Sequence, residues 1–124
     1  MVDRPYHVFV AGPLGNGDTA SLADRNRNVV RALKAADSLL EHGFVPVVPH
    51  LSEFWHRVSP KSYDTWLWLS TYQMSRCDFV LRLSGMSKGA DHEIAVAHTL
   101  DIPVVDSIGE LIEEVALNEA RELS

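Results

Sequence analysis

The chain has 124 residues, 46% of them hydrophobic, with 17 acidic and 11 basic residues and a net charge of −6. This length predicts one domain over 1–124 with a substantial core, and the acidic balance speaks against a nonspecific nucleic-acid binder, which carries a basic face. The single cysteine, Cys77, excludes an intrachain disulfide and a cysteine cluster for zinc. No apolar run approaches the roughly 20 residues of a membrane span, and Met1 to Tyr6 lack the apolar region of a signal peptide, so a cytoplasmic protein is expected.

Tyr6 to Ala11 reads as the first strand, and its apolar run His7-Val8-Phe9-Val10-Ala11 is that of a buried parallel strand. Gly12-Pro13-Leu14-Gly15-Asn16-Gly17-Asp18 follows as a loop with unusual backbone freedom. The spacing of Leu22, Val29, Leu33, Ala36 and Leu40 predicts a long helix over Thr19–His42, capped by Asp18 or Thr19 and ended by Gly43. Phe44 to Val48 is the second strand. Pro46 cannot donate to a ladder, so this strand is expected to be irregular or near an edge. Pro49-His50 opens a long connection carrying Leu51, Phe54, Trp55 and His56, and Ser59-Pro60-Lys61-Ser62 is a break.

Tyr63 to Arg76 reads as a helix with Leu67 and Met74 on one face. Trp66 and Trp68 lie two apart and cannot share a face, so one of them is left to cover a partner subunit or a ligand. Cys77-Asp78 opens the third strand, Phe79 to Leu83. The loop that follows runs into a helix with apolar positions Ile94, Ala97 and Leu100. Asp101 to Val105 is a short last strand, and Ile108 to Leu123 a glutamate-rich helix with the stripe Leu111, Ile112, Val115, Ala116. The alternation of strand and helix predicts an α/β fold: one doubly wound, open parallel sheet, flavodoxin- or Rossmann-like, with helices on both faces. Ligands in such sheets sit beyond the carboxyl ends of the strands, where strand order reverses. Three loops meet there: Gly12–Asp18, Pro49–His56 and Ser84–Glu93.

The richest chemistry lies in Ser84-Gly-Met-Ser87-Lys88-Gly89-Ala90-Asp91-His92-Glu93. The free N–H groups of the following helix attract anions there. Glu93 falls about one turn into the helix, where the dipole favours its ionised form. If the segment between Ser87 and Glu93 is helical, they are separated by roughly 9 Å at about 1.5 Å per residue, comparable to the reach of a ribose 5-phosphate. Two plainer readings compete: Glu93 as an ordinary first-turn glutamate and Ser87 as an ordinary N-cap.

Three features together resemble the nucleoside 2-deoxyribosyltransferase superfamily, which includes 2'-deoxynucleoside 5'-monophosphate N-glycosidases. They are Val8-Phe9-Val10-Ala11-Gly12 entering a glycine-rich loop, Cys77-Asp78 opening a strand, and Ser87 to Glu93 before Ile102-Pro103-Val104. The resemblance covers Val8 to about Val105. It implies that Glu93 is a nucleophile that attacks the anomeric carbon, expels the base and forms a glycosyl ester, as in retaining glycoside hydrolysis. Ser87, Lys88 and Gly89, with Gly12, Pro13 and Gly17 of the first loop, would hold a 5'-phosphate or the sugar. His50 would contact base or phosphate.

The chain departs from that pattern at two places. Gly15 stands where the hydrolases carry an arginine, and Ser70 stands where the family places a second catalytic aspartate, eight residues before Asp78. Asp91 or Asp64 is left to take that role. The resemblance implies no cofactor and no metal, a nucleoside or nucleoside 5'-monophosphate as substrate, and a homo-oligomer. The alternative is a nucleotide-binding module without turnover, favoured by Ser70. A flavodoxin-like signalling domain is disfavoured, because Phe9 to Leu14 contain no acidic pair.

Overall fold

The computed structural model describes residues 5–15 and 21–123. Gly17, Asp18 and Thr19, expected in the first loop and at the first helix start, lie outside the described residues. The elements run β1 (His7–Ala11), α1 (Leu22–Glu41), β2 (Val45–Val47), a 3-10 turn (Pro49–Leu51), α2 (Ser52–Val58), α3 (Tyr63–Ser75), β3 (Phe79–Arg82), α4 (Lys88–Thr99), β4 (Val104–Val105) and α5 (Ile108–Leu123). All strand pairs are parallel and the order is β2-β1-β3-β4. The sheet is doubly wound. Val8, Val10, Phe79 and Leu81 face Ala32 and Leu39 of α1 and Leu111 of α5. The alternate residues Phe9, Ala11 and Val80 face Met74 of α3 and Ala90 and Ala97 of α4. This is the period-two alternation of a strand, apolar on both sides because both sides are covered.

β2 is an edge strand, where Pro46 opposite Val8 needs no outward ladder bond. Strand order reverses between β1 and β3, so the loops beginning at Gly12 and Leu83 flank the crevice. They approach closely. A Cβ on Gly12 would lie 2.9 Å from Leu83 Cβ, and one on Gly85 2.8 Å from Pro13 Cγ. Gly85 also has φ +118°, a conformation that glycine alone adopts without strain.

Several expectations shift. Ser21, in extended conformation, caps α1 by accepting from Asp24 N–H at 3.1 Å. The buried face of α1 is Val29, Ala32, Ala36 and Leu39, while Leu33 and Leu40 are exposed. Both sets fit a helical repeat, and the small Ala32 lets the helix approach the sheet. Ile112 of α5 is likewise exposed, leaving Leu111 as that helix's buried anchor. The connection after Pro49 is itself helical. Ser62 caps α3, accepting from Thr65 N–H at 3.2 Å.

Asp101 does not belong to a strand. It adopts φ +57° and ends α4, with its N–H on His98 O at 3.2 Å and Ile102 N–H on Ala97 O at 2.9 Å. That is the paired bonding of a Schellman motif, with aspartate in the place glycine usually holds. Among the described residues no helix is long and apolar enough to cross a membrane.

Candidate functional site

Ser87 caps α4. Its backbone is extended and its Oγ accepts the Ala90 N–H at 3.1 Å. The hydroxyl hydrogen stays available to a further acceptor. Lys88 and Gly89 form the first turn, with Lys88 exposed and Gly89 half-buried. A Cβ on Gly89 would lie 3.2 Å from the Tyr63 hydroxyl, so a phenol from α3 stands over the start of α4. Everything between Ser87 and Glu93 is helical, which sets their axial separation at roughly 9 Å.

Glu93 lies on the inner face of α4 with Ala90 and Ala97, and is 5% exposed. Its carboxyl is pushed up to about 7. Burial is the main cause, opposed by a hydrogen bond with Ser70 and by the charge of Arg82. This corrects the expectation of a carboxylate ionised by the helix dipole. Glu93 is the sixth helical residue, beyond the first turn in which the dipole acts, and withdrawal from water dominates.

Ser70 shares the inner face of α3 with Leu67 and Met74, three and four residues away, and this brings it to Glu93. Its Oγ donates to Leu67 O at 3.2 Å. With its hydrogen so placed, the hydroxyl can accept a proton from neutral Glu93; with its hydrogen turned, it can donate to the ionised form. The position expected to matter for a second carboxylate is therefore beside Glu93, occupied by a hydroxyl. Asp91 is not with them. Its side chain is 73% exposed and reaches Arg82 at 3.4 Å. Asp64 is exposed at the outer end of α3.

His50 is 2% exposed, and its Nε2–H is shared between Gly12 O and Pro13 O, each at 3.2 Å. Burial lowers its pKa below the ordinary value. It is a buried, neutral imidazole that ties the first loop to the turn after β2. Its buried Nδ1 has no hydrogen-bond partner among the described residues.

Three arginines that the sequence reading passed over gather around the two loops. The Arg25 guanidinium packs against Gly15: a Cβ there would lie 3.0 Å from its Cζ. Arg31 donates to Ser84 O at 2.6 Å and Ser84 Oγ at 2.7 Å. Arg82 donates to Leu83 O and, at 2.9 Å, to Gly85 O. A chain of net charge −6 thus collects cations at the carboxyl end of its sheet. The available signal was Arg82 itself, a charge ending an otherwise apolar strand.

Of the two tryptophans on α3, Trp66 is occupied. Its indole N–H donates to His56 Nδ1 at 2.8 Å, and its ring meets Trp55 edge-on at 5.2 Å. Trp68 is 67% exposed and stacks on Tyr72. A shallow hollow of about 430 Å³ lies there, lined by Asp64, Leu67, Trp68, Thr71, Tyr72, Ser75 and His92. It includes none of Gly12, Ser87 or Glu93, so it is a separate feature from the crevice. Cys77 is buried, its thiol pushed up to about 12 by burial and by Asp78, which makes it a poor nucleophile. Asp78 clasps β1 instead, accepting the His7 N–H at 2.8 Å. No three His, Cys, Asp or Glu residues among those described are grouped to hold a metal ion.

Comparison with known proteins adds no assignment: no family model and no curated protein matches the chain.

Proposed function

We propose that this protein cleaves or exchanges the N-glycosidic bond of a nucleoside or nucleoside 5'-monophosphate, with Glu93 as nucleophile. The observation that carries the reading is a buried carboxyl on α4, next to the carboxyl end of a parallel sheet, with a hydroxyl beside it and no cation within ion-pair distance among the described residues. Ionised Glu93 attacks the anomeric carbon, the C–N bond breaks, and the base leaves with the bonding electrons and takes up a proton. Water or a second base then opens the ester. The substrate's anionic end meets the start of α4 at Ser87, Lys88 and Gly89 and the loop that begins at Gly12 and Pro13. Arg25 and Arg31 supply positive charge on that side.

Only the deprotonated carboxylate attacks, so turnover rises with pH through about 7. The test is base release from a panel of nucleosides and nucleotides by wild type and Glu93→Gln. Equal release by both removes the assignment.

One observation favours a second reading, a nucleotide-binding module without turnover: Ser70 gives Glu93 a hydroxyl neighbour where the resemblance calls for a carboxylate. Thermal stabilisation by nucleotides with no free base from any of them would select it. Either reading is of a cytoplasmic protein needing no cofactor or metal, and of a homo-oligomer in which the exposed Trp68 face meets a neighbour.

A further inference from the structure

We infer that His56 is a proton-sensitive clasp: neutral, it holds Tyr63 over the start of α4, and on taking up a proton it releases the turn between α2 and α3. Its Nδ1 accepts two N–H groups, the Trp66 indole at 2.8 Å and the Lys61 backbone at 3.2 Å. An imidazole nitrogen that accepts carries no hydrogen, so neutral His56 has its proton on Nε2. The two donors bracket Tyr63 in the chain. The Trp66 ring is also met edge-on by His56 at 5.9 Å and by Trp55 at 5.2 Å, so side chains of α2 fix the beginning of α3. From there the Tyr63 hydroxyl reaches α4, 3.2 Å from where a Gly89 Cβ would lie.

Protonation removes the single lone pair that both donors share. The new Nδ1–H then faces two other N–H groups, and each loses its acceptor. Lys61 and Trp66 are freed from α2 together. Tyr63 between them is 62% exposed and has room to swing away from Gly89. The charged groups nearest His56 are directed elsewhere. On α2, Glu53 and Arg57 pair with each other, and Arg57 donates to Asn26 of α1. In the turn, Lys61 Nζ donates to Ser59 Oγ at 3.2 Å. On α3, Asp64 is exposed. The clasp thus depends on the proton at one nitrogen, and it stands whether or not Glu93 turns over a substrate. On the reading proposed above, it governs the end of α4 that receives the substrate's anionic end.

The experiment is a nitrogen NMR titration of the full chain without substrate, following the His56 ring nitrogens, the Trp66 indole N–H and the Gly89 amide. Neutral His56 shows the Nε2–H tautomer. The Trp66 and Gly89 signals move with the midpoint of His56 itself, while the Trp68 indole does not. His56→Asn keeps an acceptor near the Nδ1 position and does not titrate, so it holds both signals at their neutral positions across the range. On the acid side of the midpoint, Trp66 indole hydrogen exchange is faster in wild type than in His56→Asn by roughly fivefold or more, the worth of one hydrogen bond. An Nδ1–H tautomer, or a Trp66 indole indifferent to the titration, overturns the inference. So does a Gly89 shift that persists in His56→Asn, because His92, exposed on α4, is then its source. No readout requires turnover, so a protein that releases no base still tests the clasp, and failure of the clasp leaves base release by Glu93 untouched.

Discussion

Glu53 and Glu93 are both helical glutamates, and both are nearly withdrawn from water, at 6% and 5% exposure. Their surroundings differ. Glu53 of α2 sits between two guanidiniums, Arg25 of α1 at 3.3 Å and Arg57 at 3.4 Å, and Arg57 reaches back to Asn26 Oδ1 of α1 at 2.8 Å. Its charge is matched, and the cluster fastens α2 against α1. Glu93 has one hydroxyl and the indirect charge of Arg82, and burial raises it to about 7. A buried carboxylate between two cations is a fastening. One left with a hydroxyl in an apolar seam makes the fold less stable when ionised, and its proton is exchangeable near neutrality, a property suited to chemistry.

The largest test of that contrast is activity: Glu93→Gln lowers base release by on the order of a thousandfold or more, whereas Glu53→Gln retains it in whatever fraction stays folded. Next comes stability against pH. The folded protein holds the Glu93 proton up to about 7, while the unfolded chain releases it near the ordinary glutamate value of 4.5. Between those values the native state binds more protons, so stability falls as pH rises, and above about 7 the full penalty is present. Glu93→Gln is therefore more stable than wild type at pH 8, by up to about 3 kcal/mol, with the gap closing below pH 4.5, as urea unfolding at the two pH values measures.

Glu53→Gln does the opposite. It strands two arginines and destabilises at pH 7 by about 2 kcal/mol, less than a fully buried pair because both guanidiniums reach solvent. The smallest effect is Ser87→Ala, which removes the α4 cap and costs about 1 kcal/mol in the same measurement. A larger loss of nucleotide-induced thermal stabilisation than of intrinsic stability separates phosphate contact at Ser87 from capping alone.

Much of the fold was legible because apolar periodicity and turn residues act locally. β1, β3, the edge placement implied by Pro46, and the α4 start at Ser87 follow from neighbouring residues. The misjudged features share a cause. On α1 the stripe 29/33/36/40 and the buried set 29/32/36/39 are equally periodic, and only docking against the sheet selects between them. Asp101 looked like the start of a strand because Ile102-Pro103-Val104 follows. Its role in ending α4 depends on carbonyls of the helix itself. His50 was assigned by its place after β2, and its actual partners are backbone carbonyls 37 and 38 residues earlier.

The amino-acid order by itself determined the α/β alternation, the helix start that carries Ser87, and the placing of Glu93 one and a half turns beyond it. These depend on covalent spacing and on bonds within a few residues. Tertiary structure decided that Glu93 faces inward beneath Ser70, that Arg82 reaches Asp91, and that Arg25 lies against Gly15. It also decided the proton affinity of Glu93. A carboxyl's charge depends on how much water and how many cations surround it, and here those surroundings are supplied by α3 and β3, segments distant along the chain and brought together only by packing on one sheet.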